Sequence, residues 1–534
     1  MSSEKQPVYV LPENVHRTLG KDAQRNNILA ARVVAEIVKS TLGPKGMDKM
    51  LVDSSGNITI TNDGVTILEE MEIDHPAAKM IVEIAKTQEE EVGDGTTTVA
   101  MLAGKLLENA EKLLDKKIHP TVISKGYRLA AEKAKSILSE IGINVDNKEI
   151  LKKIAMTAMT GKGAEGNREL LSEIIVSAID KIAVGKEVDI MDIKIEKVKG
   201  EEIGNSELVN GIVLDKEIVH EAMPKRIEGA RIALIDFPIE LRSPETEAKV
   251  SISSPEQLQS FITAEEVALK ELTKKIIDSG ANLVFCQKGI DDVAQYYLSK
   301  AGVSAVRRVA KSDMERLAKA TSAKIVSNIN EFSSDSFGSV GIMEEVKRGE
   351  NKMIYLRECN NPKSVTILVK ASTSHVVDEI ERAVKDGIGD VISAVRSGKV
   401  VSGGGAVEME LSKRLRQFSR TLGGREQLAV EEFANALEFI PETLAENAGL
   451  DPIDVLTELK KRHESNMIKD GLNLFTNKIE DCFEAGIIEP LKVKKQAISS
   501  ASEVAVMILR IDDVLISSGS KPSARGIPNY GEFE

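Results

Sequence analysis

The chain has no tryptophan, only 3% aromatic residues and three cysteines in 534 residues, and each scarcity closes off a class of protein. Without aromatic faces a base-stacking platform is hard to build, and a formal net charge of −13 opposes a phosphate backbone over most of the surface. The basic clusters Arg307-Arg308 and Lys460-Lys461-Arg462 are too small to reverse this, so no nucleic acid partner is expected. Cys286, Cys359 and Cys482 lie far apart, with no C-x-x-C pair and no histidines at zinc-finger spacing, which argues against disulfides and structural zinc. Apolar runs long enough to span a bilayer are missing, and residues 1–20 carry Pro7, Pro12 and scattered charge where a signal peptide needs a continuous apolar segment. The expectation is a cytoplasmic protein without membrane association.

What is present is an aliphatic, charge-rich chain, 42% hydrophobic and 29% charged, too long for one core and therefore expected to form several domains. Three textures follow one another. Residues 22–142 are mainly helical, with Ile28, Leu29, Val33, Ile37 and Val38 at 3.6-residue spacing, interrupted by a β-hairpin pattern at 50–52 and 58–61. From about 215 to 362 short β-branched runs alternate with amphipathic helices, the pattern of an α/β domain. Inside it, a polar, turn-rich stretch at 243–255 leads into a helix with Leu258, Phe261, Ile262, Leu269, Leu272 and Ile276 on one stripe. Periodicity alone reads that stripe as core. From 403 to 515 long helices return, one containing Pro441, before a Ser/Gly/Pro-rich tail from about 517 that reads as mobile.

The candidate chemistry lies in glycine-flanked polar turns. Gly93 and Gly95 bracket Asp94 ahead of a helix opening Thr96-Thr97-Thr98, where backbone N–H groups and a helix N-terminus suit phosphate and the carboxylate suits Mg²⁺. An N-capped interhelical turn would look the same. A Walker A sequence does not occur, and the G-x-G-x-x-G at Gly161, Gly163 and Gly166 follows a helical pattern instead of the strand that a dinucleotide fold requires. Taken singly, each turn reads as a turn.

Taken together, segments 41–50, 62–68, 75–80, 93–98, 401–405, 444–450 and 471–475 resemble the signature segments of chaperonin subunits, and the likeness spans nearly the whole chain. It is closest to the group II branch of archaeal thermosome type, through strings such as Phe285-Cys286-Gln287-Lys288-Gly289-Ile290-Asp291-Asp292. The resemblance implies an α+β multidomain chaperonin fold. A mainly helical equatorial domain would come from 1–146 and 403–534, a split intermediate domain from 147–214 and 367–402, and an α/β apical domain from 215–366. The last would carry a lid protrusion at about 241–275, whose apolar residues would then bind protein.

By the same resemblance the cofactors are ATP and Mg²⁺. Asp94 would hold the metal, Gly95, Thr96, Thr97 and Thr98 the phosphates, and Leu42, Gly43 and Pro44 would lie close against them. Asp386 and Asp63 would be the catalytic acids, Lys162 would reach the γ-phosphate, Gly404 and Glu489 would meet the sugar, and Gly471 and Asn473 would border the adenine. The implied activity is ATP hydrolysis that closes a built-in lid over non-native polypeptide. The implied partners are like subunits in a double ring of about eight per ring, with no separate co-chaperonin. Two features depart from the family: the tail lacks a Gly-Met repeat, and Asn477 stands where Gly is commoner, a substitution that a left-handed turn tolerates. A metabolic ATP-dependent enzyme or a non-catalytic ring scaffold remain the competing classes. The first would need a small-molecule site in the middle segment, and the second would need altered acids.

Overall fold

A computed structural model describes residues 15–517 except 146, 241–254, 330–331, 333, 349–350 and 360–361. The first part of the proposed protrusion, 241–254 of 241–275, and the tail beyond 517 therefore lie outside the described residues. Among those described, no helix is long and apolar enough to cross a membrane.

The helical textures at the two ends build one core. Helices Gly20–Lys39, Pro76–Val92, Thr96–Asp115 and Pro120–Ile141 pack with Glu426–Asn447 and Leu491–Leu509. Their buried stripes, including Ile28, Leu106 and Tyr127 from one end and Phe433 and Ala505 from the other, form a single hydrophobic cluster. Small residues let the helices approach closely: a Cβ on Gly126 would press against Ala429, and the Tyr127 ring meets Phe433 edge-on at 5.6 Å.

A second core joins segments on either side of the middle. Val365–Ala371 is the centre of a three-stranded sheet, parallel to Ile193–Lys199 and antiparallel to Glu207–Val209. Helices Lys148–Ala158, Arg168–Ile182 and Ser374–Ser397 cover it through Ile154, Ile175, Ile380 and Val384.

The middle segment forms a third core around a larger sheet. Strand Arg226–Ile235 pairs in parallel with Leu283–Cys286, which pairs with Ser304–Val306, matching the β-branched runs. On its other side Gly338–Arg348, Asn351–Arg357 and Gly211–Leu214 continue antiparallel. Gly211–Leu214 thus pairs within the middle sheet, although the sequence division put it in the preceding segment. Helix Pro255–Asp278 lays Leu269 and Ile276 into this core and packs Leu272 against it. These three residues belong to the core, as periodicity suggested, so Leu269 and Leu272 are not part of the protein-binding surface that the resemblance implied for the apolar residues of 241–275. Asn477 adopts φ +53°, the left-handed turn expected of it.

Buried charge in the helical core is paired. Glu410 is 1% exposed and takes hydrogen bonds from Arg414 Nε at 2.6 Å and from the His463 ring at 3.0 Å. Burial alone would raise its carboxyl, but these bonds outweigh burial and hold it below the ordinary value. A depressed folded pKa stabilises the protein above the unfolded value, near pH 4.3, and that contribution disappears as pH falls through the folded value. Glu410→Gln should therefore cost about 3 kcal/mol at pH 7 and progressively less below about pH 4, read from denaturant unfolding at each pH. A cost independent of pH would contradict the pairing.

Candidate functional site

The first and second cores meet along a cleft of about 380 Å³, within the size range of small-molecule sites. One wall is the turn between helices Pro76–Val92 and Thr96–Asp115. Gly93 and Gly95 sit at φ +85° and +82°, a conformation that bulkier residues resist, and so hold Asp94 out between two helix ends. The Asp94 carbonyl accepts from Gln88 Nε2 at 3.0 Å, leaving its carboxylate for the cleft. Gly95 caps the following helix with no side-chain bond, so the first N–H groups of Thr96, Thr97 and Thr98 are open to an anionic ligand. Beside them Asp63 caps helix Gly64–Glu70, its Oδ2 accepting from Thr66 N at 3.0 Å and Thr66 Oγ1 at 2.7 Å.

The opposite wall belongs to the second core. Lys162, in the turn after helix Lys148–Ala158, donates to Asp386 Oδ2 at 2.5 Å and lies 3.9 Å from Asp94 Oδ1. Burial works against the lysine charge, but Asp386, Asp94 and Asp63 outweigh it and keep the ammonium protonated. Asp386 stands on helix Ser374–Ser397; burial pushes its carboxyl up to about 7, with Lys162 opposing and Asp94 and Asp63 adding to the rise. The walls are held together by Asn62 Nδ2 donating to Gly161 O at 2.6 Å, by Lys385 on Glu89 at 2.8 Å, and by a backbone contact of two glycines. A Cβ on Gly389 would lie 2.8 Å from Gly93 Cα.

At the far end strand Lys399–Ser402 pairs with Ile488–Pro490, which brings Glu489 beside the 403–405 turn. Lys494 donates to Glu489 Oε2 at 2.6 Å and to Glu408 Oε1 at 2.9 Å. Burial raises Glu489 despite Lys494, with Glu408 adding to the rise.

The structure thus gathers Leu42, Gly43, Pro44, Asp63, Asp94, Gly95, Thr96, Thr97, Thr98, Lys162, Gly404 and Glu489 around one cleft, with Asp386 behind Lys162. Gly471 and Asn473 are not on its wall; their neighbours Leu472 and Leu474 are. Asn473 spends its side chain on Glu480 and on the Phe475 N–H, and Gly471 packs where a Cβ would meet Gly403 O at 2.7 Å. Gly404 sits at φ +64°, and a Cβ there would lie 2.7 Å from Leu472 O, so the fold itself favours glycine at this point of the wall. Sequence reading missed Asn62, Arg168, Asp390, Gly405 and Lys494, which also line the cleft. Asp390 had a readable signal, since it follows Asp386 by one helical turn and shares its face. Arg168 had none: its guanidinium stacks on Phe475 at 4.9 Å across the cleft, a pairing of remote segments.

Magnesium fits this donor set. Among the described residues no group of three or more His, Cys, Asp or Glu is placed to cage an ion, whereas Mg²⁺ on a nucleotide needs only one or two carboxylates besides phosphate and water.

Comparison with known proteins agrees with this geometry. A model of the TCP-1/cpn60 chaperonin family matches residues 34–518. Thermosome subunit beta of Archaeoglobus fulgidus is 59% identical over 99% of both chains, and thermosome subunit beta of Methanothermobacter thermautotrophicus is 56% identical over 99% of this chain and 98% of its own. The solved open-state monomer of a group II chaperonin from Methanococcoides burtonii is 47% identical, with a TM-score of 0.60, covering 79% of this chain and all of that one. A nucleotide-sized cleft between two packed bodies and full-length likeness of this strength lead to one conclusion: the chain belongs to the TCP-1/cpn60 chaperonin family, as a group II chaperonin subunit of thermosome type, an ATP-dependent molecular chaperone.

Proposed function

We propose that the cleft binds ATP with Mg²⁺ and that hydrolysis there moves the second core against the first. The first core would be the equatorial domain, the second the intermediate domain and the third the apical domain. The observation that carries this reading is Lys162, one cation from the second core touching Asp386 of its own body and Asp94 of the other.

Asp94 would hold the metal, which when bound neutralises charge on the phosphate oxygens. The N–H and hydroxyl groups of Thr96, Thr97 and Thr98 and the N–H of Gly95 orient the triphosphate at the helix start, with Leu42, Gly43 and Pro44 closing over it. Asp386, with Asp63 beside it, orients the attacking water and takes its proton. A raised carboxyl is matched to that work near neutral pH. Glu489 accepts from the ribose hydroxyls, positioned by Lys494.

Lys162 tells triphosphate from diphosphate. A ligand shifts a two-state equilibrium only by its different affinity for the two states, and a contact to the γ-phosphate supplies that difference to the body carrying Lys162. Lys162→Met should therefore bring the affinities for a non-hydrolysable triphosphate and for ADP within about threefold of each other, where the parent separates them by about tenfold or more. Calorimetry with both ligands tests this. An unchanged ratio would remove Lys162 from the coupling.

The chamber itself would be a double ring of about eight subunits per ring, closed by the protrusion at 241–275 without a co-chaperonin, around non-native polypeptide. Support for assembly comes from the hairpin Lys49–Val52 and Ile58–Thr61, which leaves Met50 at 66% and Val52 at 63% exposure on an open two-stranded edge. Met50→Asp should shift the particle from the megadalton range toward small oligomers by light scattering, with helical content unchanged. Full-size rings would move the subunit contact elsewhere.

A further inference from the structure

Asp390 lies on the cleft wall one helical turn past Asp386. It is 2% exposed, lines the cleft, and its Oδ1 has no hydrogen-bond partner. It stands in the middle of helix Ser374–Ser397, so no unsatisfied helix-end N–H is available to it. The nearby cation, Lys162, is engaged by Asp386 at 2.5 Å and lies 3.9 Å from Asp94. A buried carboxyl oxygen left unpartnered costs stability, so an acid at this position needs a ligand to account for it.

The side of the cleft that it serves is set by its neighbours. Gly389 touches Gly93, the residue before Asp94, and Asp390 N lies 3.8 Å from where a Gly93 Cβ would be. Asp390 therefore adjoins the Asp94 turn, whereas Asp386, one turn earlier, adjoins Lys162. Mg²⁺ keeps several of its waters when bound to a nucleotide, so a second carboxylate can act on it without touching it. The geometry points to Asp390 as an outer-sphere ligand of the divalent cation, accepting a hydrogen bond from a water on the ion held by Asp94. This rests on the reading of the cleft as a magnesium–nucleotide site. It makes Asp390 a positioning residue for the metal, distinct from the water-orienting Asp386.

Burial, with Asp94, Glu489 and Asp386 beside it, raises the Asp390 carboxyl in the metal-free cleft, so it opposes a metal-free triphosphate only weakly, whereas a cation held by Asp94 favours its charged form. Asp390→Asn and Asp390→Val should thus leave the affinity for AMP-PNP in EDTA unchanged or higher, while the enhancement conferred by saturating Mg²⁺ falls about tenfold. Calorimetry on the assembled particle measures both. Neither variant removes a pairing partner, and Asp390→Val deletes an unpartnered buried carboxyl, so both should fold at least as well as the parent, checked by thermal unfolding without nucleotide.

Asp94→Ala is the control for the underlying reading and should abolish the enhancement. An enhancement that survives Asp94→Ala would overturn both the reading and the inference. Loss in Asp94→Ala with the enhancement kept within about twofold in both Asp390 variants would overturn the inference alone. A fall in turnover without change in the enhancement would also overturn it, and would give Asp390 to the attacking water.

Discussion

Asp386→Ala should give a particle that still binds nucleotide but hydrolyses it about 10²–10⁴-fold more slowly, the span that a positioned general base contributes. Asp386 lies behind Lys162 and is not among the residues lining the cleft, so removing it should take away no direct contact to the nucleotide. It also frees the Lys162 ammonium from its 2.5 Å partner, and a freed cation can only strengthen the hold on a triphosphate. The expected signature is therefore lost turnover with affinity for ATP equal to or higher than the parent's, read by steady-state phosphate release and by calorimetry. Turnover within about threefold of the parent would remove Asp386 from the chemistry.

Gly389→Ala should slow hydrolysis by about 10²-fold for a different reason. The added methyl would sit 2.8 Å from Gly93 Cα, and backbone cannot yield as a side-chain tip can. The two walls must part by a fraction of an ångström to about one, a displacement that can cost this much when reacting groups sit on opposite walls. Helix propensity works the other way, because Ala is favoured over Gly inside helix Ser374–Ser397 by about 1 kcal/mol. Denaturant unfolding should thus show no loss of subunit stability while turnover falls. Parental turnover would mean that the close contact of Gly93 and Gly389 is incidental to the reaction.

The sequence carried the helices of both ends, because long amphipathic stripes and Gly or Pro stops are local signals: the stripe through Ile28, Val33 and Val38 is the helix Gly20–Lys39, and the helix opening at Thr96 runs as Thr96–Asp115. It also carried the hairpin at 50–52 and 58–61 and the parallel strands of the middle segment. Which remote turns meet was not local. That Lys162 and Asp386, 224 residues apart, belong to one site entered only through resemblance, and their ion pair was visible only in the structure, since side-chain periodicity supplies neither. The position of Gly471 and Asn473 has the same origin. They belong to the short strand Asp470–Asn473, and it is Leu472 within it and Leu474 just after it that line the cleft, an arrangement set by pairing with Lys478–Asp481 and invisible without it. The stripe of helix Pro255–Asp278 shows the reverse case, where simple periodicity read Leu269 and Leu272 as core and the family likeness read them as part of a binding protrusion.

The central claim is that carboxylates of two separate bodies act on one nucleotide. The most direct measurement is an experimental structure of the assembled particle with Mg²⁺ and AMP-PNP. The terminal phosphate is expected between Lys162 and the Thr96–Thr98 helix start, with metal density at Asp94 and the nucleoside toward Glu489. Nucleotide bound away from this cleft, or touching the first core alone with Lys162 and Asp386 turned to solvent, would contradict it.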